Sequence, residues 1–132
     1  MLFRSAWDQD LNYPFPMYVK RAVEKQDPFD VWGTGTQTRD FIHIKDVVSA
    51  VLTAVRDGVK GPVNLGTGRA TSFLNLAKMV CAEMNYVPQI KTNADKPMGC
   101  VHRVANVSEM LKFYTPKITL EEGIAEAVKK YV

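Results

Sequence analysis

The sequence predicts a small α/β domain, with short strands and three or four packed helices. Three observations carry that prediction. The stretch from Val31 to Val47 holds a short apolar run, a glycine-rich turn, a second apolar run and the start of a helix. After it, short apolar runs alternate with stretches whose apolar positions recur at helical spacing. The chain has 132 residues, which is enough for one domain with a core and too few for two ordinary ones. The expected division is an irregular lead-in over 1–15 and one domain over 16–132.

Residues 1–15 mix apolar Met1, Leu2, Phe3 and Trp7 with Asp8, Asp10, Pro14 and other breakers. One short strand is expected at Leu2–Ser5, and so apolar a start reads as a cut in a longer chain. Pro16 suits the first turn of a helix, where its missing N–H costs nothing. That helix is expected to run to Gln26, with Met17, Val19, Ala22 and Val23 inward and Lys20, Arg21, Glu24 and Lys25 toward water. Phe29–Trp32 reads as a strand, Gly33–Gly35 as a turn and Asp40–Ile44 as a second strand. The next helix begins at Lys45 or Asp46 and ends at Asp57, with Val47, Val48, Val51, Leu52 and Val55 on one face and Gly58 as its C-terminal cap.

Val63–Leu65 reads as a buried strand. Thr71 or Ser72 then caps a helix over Phe73–Asn85, with Phe73, Leu76, Ala77, Val80, Cys81 and Met84 inward. Gln89–Thr92 and His102–Ala105 read as short strands on either side of a polar loop, and Val107–Phe113 as a short helix. Thr119-Leu-Glu-Glu122 is a capping box for a final helix to Tyr131, whose inward stripe is Ile124, Ala127, Val128 and Tyr131.

Composition narrows the function classes. Hydrophobic residues make up 46% and charged residues 23%, which fits a globular chain. The net charge of +3 mildly favours anionic small molecules, and the scattered lysines and arginines form no nucleic-acid stripe. Cys81 and Cys100 fit no metal spacing and no disulfide framework, so a cytoplasmic setting is expected. No apolar run approaches the roughly 20 residues of a membrane span, and the N-terminus has no signal-peptide core.

Several motifs have a chemical and a plain reading. Gly66-Thr-Gly68-Arg-Ala-Thr71 sits between a strand and a helix, as a dinucleotide-binding turn does. Its third glycine is absent and no acidic residue ends a following strand, so a plain turn is the better account. Arg39 either presents its planar fork to a phosphate or carboxylate, or pairs at the surface with Asp40 or Asp46. His43, flanked by isoleucines, reads as structural. Lys96, His102 and Arg103 form a basic group that either holds an anion or lines a solvated loop. Trp32 either stacks on a base or fills space, and Phe41 reads as core.

Together, Val31-Trp-Gly-Thr-Gly35 with Arg39-Asp-Phe-Ile-His-Ile-Lys-Asp46, then Gly61-Pro-Val-Asn-Leu-Gly-Thr-Gly68, then Lys96-Pro-Met-Gly99 with Arg103, resemble one family. The chain is similar to the C-terminal, substrate-binding part of extended short-chain dehydrogenases, the NAD-dependent epimerase/dehydratase family acting on nucleotide sugars. The Lys-Pro-x-Gly-x-x-x-Arg stretch resembles the GDP-fucose synthase branch. In complete relatives a Rossmann domain binds NAD or NADP and a Tyr-x-x-x-Lys pair does the proton chemistry. Neither is in this sequence: no tyrosine is followed by lysine four residues on.

The resemblance therefore implies no complete Rossmann domain, no catalytic residue, no metal and no cofactor bound by this chain alone. It implies that Arg39 contacts a nucleotide sugar, with Phe41, Phe73, Lys96, Arg103 and Trp32 as further substrate-side positions. Asn106 stands where relatives carry aspartate, a departure that concerns the local turn. The expected function is that of a truncated epimerase/dehydratase, inactive alone, which self-associates or meets a partner over the face that a nucleotide-binding domain would cover. Neither nucleic acid nor membrane is an expected partner. The alternative is a stand-alone interaction domain, or a decayed gene fragment, with the same fold.

Overall fold

The computed structural model describes residues 13–132. In chain order the described elements are α1 (Pro14–Val23), β1 (Phe29–Trp32), β2 (Thr38–Arg39), α2 (Ile44–Arg56), β3 (Thr71–Ser72), α3 (Phe73–Glu83), β4 (Ile90–Asn93), β5 (His102–Arg103) and α4 (Leu120–Lys129). A short 3-10 helix, Met110–Lys112, lies between β5 and α4. The strand expected at Leu2–Ser5 falls outside the described residues.

The core is made mainly by helices. Val19 and Ala22 of α1, Leu76 and Val80 of α3, and Ile124 and Val128 of α4 enclose Phe29 and Val31 of β1. These positions recur at three- and four-residue spacing along each helix, which turns them to one side. Tyr18 also enters the core, edge-on to Phe29 at 5.3 Å and 86°. Two small sheets flank this core. β1 runs parallel to β4, with Phe29 opposite Ile90 and Trp32 opposite Asn93. In the second sheet β2 is central, antiparallel to β3 and parallel to β5.

Several boundaries differ from the sequence reading, each for a local reason. α1 starts at Pro14, inside the expected lead-in, because a proline is as well tolerated there as at 16. It stops at Val23, and Arg21 turns inward to donate to the Asp30 carbonyl and pair with its carboxylate at 3.9 Å. The strand expected over Asp40–Ile44 is only Thr38–Arg39, because Asp40 leaves the sheet for a neighbouring turn and His43 is already the cap of α2. His43 Nδ1 accepts from the Lys45 N–H at 3.1 Å. α3 ends at Glu83, and the helix expected over Val107–Phe113 is the single 3-10 turn. Tyr131 lies past the end of α4 and is exposed rather than inward.

The largest departures concern α2 and the segment after it. α2 ends at Arg56, one residue before the expected Asp57, and Gly58 follows with a φ of +64° that suits a residue without Cβ. Its apolar stripe faces outward, however: Val48, Val51, Leu52 and Val55 are all exposed. Val63–Leu65 forms no strand; Val63 and Leu65 are half-buried and Asn64 is exposed. α2 is held by its buried Ala50 and by a buried carboxylate. Asp46 accepts from the Tyr114 hydroxyl at 2.7 Å and from the Lys117 and Ile118 N–H groups at 3.0 Å.

Candidate functional site

The glycine turn after Leu65 is organised by an internal anion. Asp40 accepts from the Thr67 N–H at 2.9 Å, the Gly68 N–H at 2.9 Å, the Thr67 hydroxyl at 2.5 Å and the Ala105 N–H at 3.3 Å. A Cβ on Gly66 would stand 2.5 Å from the Ala105 Cβ and 2.6 Å from Asp40 Oδ2, so only glycine allows this approach. The turn thus spends its amides on Asp40, and these residues do not fit the pyrophosphate of a dinucleotide. The plain-turn reading of Gly66–Thr71 agrees with this geometry.

Arg39 sits at the centre of the second sheet. One guanidinium nitrogen donates to the carbonyls of Thr38 and Cys100, both at 2.7 Å. The guanidinium carbon lies 5.4 Å from the centre of the Phe73 ring, within range of an attractive cation–π contact. No carboxylate among the described residues pairs with it, because Asp40 and Asp46 are both engaged elsewhere. β2 and β5 run parallel with Arg39 opposite Arg103, which puts two arginines side by side on one face of the sheet. Like charges directly opposite are destabilising unless an anion lies between them.

The loop from Asn93 to Cys100 touches both sheets. Lys96 holds its ammonium 5.5 Å from the centre of the Trp32 ring. Trp32 is fixed in turn by donating its indole N–H to Asp30 at 3.1 Å. Met98 closes on the backbone of Gly33, where a Cβ would stand 2.9 Å from it and φ is +72°. Cys100 supplies the carbonyl that anchors Arg39. Two cation–ring contacts result: Arg39 beside the Phe73 face, with Arg103 across the ladder, and Lys96 over Trp32 of the first sheet.

Five of the six substrate-side positions read from the sequence thus lie on β1, β2, β5, the start of α3 and the loop that links β4 to β5. Phe41 lies apart. It rests against Phe15 at 6.1 Å and lines a cavity of about 370 Å³ beside α4. His43 also lines that cavity, with Nε2 3.3 Å from Glu126, in keeping with its structural reading. His102 faces away from the arginines and bonds Thr38 at 2.6 Å. Asn106 accepts from the Ser108 N–H at 3.1 Å, a local turn. Sequence reasoning missed Asp40 as the organiser of the glycine turn. The sequence offered Asp40 only as a surface partner for Arg39 and carried no sign of the turn that it holds. Among the described residues no group of three acidic, histidine or cysteine side chains is placed to hold a metal.

Comparison with known proteins decides the kinship. Residues 8–66 match the model of the NAD dependent epimerase/dehydratase family. A GDP-L-fucose synthase of Sinorhizobium fredii is 25% identical over 98% of this chain. The chain is a relative of the NAD-dependent epimerases/dehydratases. A dTDP-4-dehydro-6-deoxy-D-allose reductase of Streptomyces bikiniensis is 32% identical over 79% of the chain. Among solved structures, UDP-glucose 4-epimerase of Thermotoga maritima with UDP-glucose superposes over 89% of the chain, at 25% identity and a TM-score of 0.76. A UDP-N-acetylglucosamine 4-epimerase from Methanobrevibacter ruminantium, in complex with UDP-N-acetylmuramic acid, superposes over 96% of it at 22% identity and 0.83.

This epimerase/dehydratase relative spans 43% of the Sinorhizobium protein, 32% of the Streptomyces one and 38% of the Thermotoga chain. Its fold is that of one part of those proteins. GDP-L-fucose synthases recur among the similar sequences, as the Lys96–Arg103 stretch implied, together with reductases named for dTDP sugars. None of the described helices is long and apolar enough to cross a membrane.

Proposed function

We propose that this chain is the nucleotide-sugar-binding part of an epimerase/dehydratase-type enzyme and is not catalytic by itself. The observation that carries the reading is the pair Arg39 and Arg103, set side by side with no carboxylate partner for Arg39. A diphosphate bridging the two would relieve their repulsion and accept their charge-assisted hydrogen bonds. Lys96 adds a third cation, and Trp32 and Phe73 offer ring faces to a base or sugar. The relatives support the ligand class, since the Thermotoga structure holds UDP-glucose and the Methanobrevibacter structure holds UDP-N-acetylmuramic acid.

The chain supplies no Tyr-x-x-x-Lys pair and its one candidate dinucleotide turn is filled by Asp40, so the hydride and proton steps fall to residues outside 13–132. Phe41 takes an indirect part in this reading: it shapes the start of α2 and does not touch the ligand. A second reading, an interaction module of the same fold, is favoured by one observation, the exposed apolar face of α2.

A thermal-shift titration with GDP, UDP, dTDP and CDP tests the first reading. One of these should raise the melting temperature in a saturable way, and Arg39→Ala should abolish the shift. No shift at millimolar nucleotide would leave the interaction module as the better account. Part of a pocket binds weakly because the rest supplied contacts and pre-organisation.

A further inference from the structure

Among the described residues, Gln37 is the one buried side chain in the link between the two sheets. Trp32 ends β1 of the first sheet and Thr38 begins β2 of the second. Of the five residues between them, Gly33 and Gly35 carry no side chain, Thr34 and Thr36 are exposed, and Gln37 is wholly buried. Gln37 Nε2 donates to the Trp32 carbonyl at 2.8 Å, so the side chain closes the Gly33–Gly35 turn back onto the residue that entered it. The Gln37 carbonyl accepts from the Phe73 N–H at 3.2 Å, and the Leu74 N–H donates to the Gly35 carbonyl at 3.0 Å. The far half of the turn is thus fixed to the start of α3, and the carboxamide carries that fixed point across to β1.

Packing alone does not account for an amide at this place. A carbonyl only accepts, so the carboxamide must turn its nitrogen to Trp32, and Oε1 is then left without a donor among the described residues. A buried acceptor without a donor costs stability. An apolar side chain of the same length would fill the space with no such atom. What the amide adds is the position of Trp32. The Trp32 ring is also held by Asp30, but that bond lies within β1 and cannot fix the ring relative to the second sheet. Gly33 permits the close approach, since a Cβ there would stand 3.0 Å from Gln37 Nε2. On the other side, Arg39 is two residues from Gln37, and its guanidinium lies 5.4 Å from the Phe73 ring. Gln37 therefore bonds both ring-bearing residues and leads into the strand that carries the arginine.

We propose that Gln37 is a positioning residue of the nucleotide site: it sets the Trp32 ring at a fixed place relative to Arg39, and so makes the site select a nucleoside diphosphate over a bare diphosphate. The arginines take the phosphates and the ring takes the base. Only a ring already held in register with Arg39 adds affinity without a further cost in ordering. The proposal rests on the reading of this chain as the nucleotide-sugar-binding part, and names the residue that couples its two kinds of contact.

The test compares inorganic pyrophosphate with the nucleoside diphosphate that gives the largest thermal shift, by calorimetric titration of the 132-residue chain. Stacking of one base on an aromatic ring brings about a tenfold gain in affinity, so the parent chain should prefer the nucleotide by about that factor. Gln37→Met, which keeps the length and removes the amide, should reduce the preference to about twofold. It exchanges one unpaired acceptor, Oε1, for another, the Trp32 carbonyl, so its melting temperature should stay within about 4 °C of the parent's. Gln37→Asn, one methylene too short to reach Trp32, is the second variant and should lose the same preference. A spectroscopic check uses a Trp7→Phe background, in which Trp32 is the remaining tryptophan. The nucleotide should quench its emission there, and should not once Gln37→Met is added. A preference that survives in either folded variant, or a parent chain with no preference, would overturn the proposal. Arg39→Ala separates the failures. If Arg39-dependent nucleotide binding persists while Gln37→Met keeps the full preference, only the positioning role falls; if the parent chain binds neither ligand, the functional reading falls and this proposal with it.

Discussion

Asp40 receives four donors, from Thr67, Gly68 and Ala105, and so ties the glycine turn and the chain after β5 to the end of β2. Hydrogen bonds to a charged group contribute about 1.5–3 kcal/mol each, and buried donors left without a partner cost more than the bond was worth. Asp40→Ala should therefore lower stability by about 2–4 kcal/mol, read as a lower urea midpoint with an unchanged slope. It should also weaken nucleotide binding, because β5 carries Arg103. Arg39 was legible from the sequence as a candidate ligand residue, since it follows a glycine turn. Its carbonyl anchors and the Arg103 neighbour were not, because they depend on a strand register between segments some 60 residues apart. Phe41, a substrate-side position by the resemblance, lies apart from Arg39 for a local reason. Two positions from Arg39 in a continuous strand would share its face, but the strand ends at Arg39.

At the scale of elements, helix ends were read more reliably than strands. Thr119 accepts from the Glu122 N–H at 3.2 Å while Glu122 accepts from the Thr119 N–H at 2.7 Å, as the capping box implied. Thr119→Ala should cost about 1 kcal/mol, a drop of about 4 °C in melting temperature. Capping is local, so four residues suffice to announce it. The pairing of β1 with β4 joins residues about 60 apart, and no local pattern states it. The apolar stripe of α2 was correctly found by periodicity, yet periodicity says only that one side is apolar. It cannot say whether the chain itself covers that side, and here the described residues do not.

For the whole molecule, one buried carboxylate joins α2 to the segment leading into α4. Burial alone would raise the pKa of Asp46. The hydrogen bonds from Tyr114, Lys117 and Ile118 outweigh that, and hold it below the ordinary aspartate value. An aspartate in the unfolded chain titrates near about 3.9. A folded value below the unfolded one gives a stabilisation that is present above the unfolded value and is lost as pH falls through the folded one. The melting temperature should therefore fall as pH drops below about 4, and Asp46→Asn should be less stable at neutral pH with a flatter acid limb. The helix-dominated core and the α/β class were legible because α1, α3 and α4 each repeat apolar residues at helical spacing. The open side of the molecule was legible only through the family resemblance.

The most direct measurement is a pair of calorimetric titrations of the 132-residue chain, one with the nucleoside diphosphate that gives the largest thermal shift and one with NAD. Saturable diphosphate binding that disappears in Arg39→Ala is expected, and no heat of binding with NAD, because Asp40 occupies the glycine turn. Binding of NAD as tight as that of the diphosphate, or diphosphate binding untouched by Arg39→Ala, would contradict it.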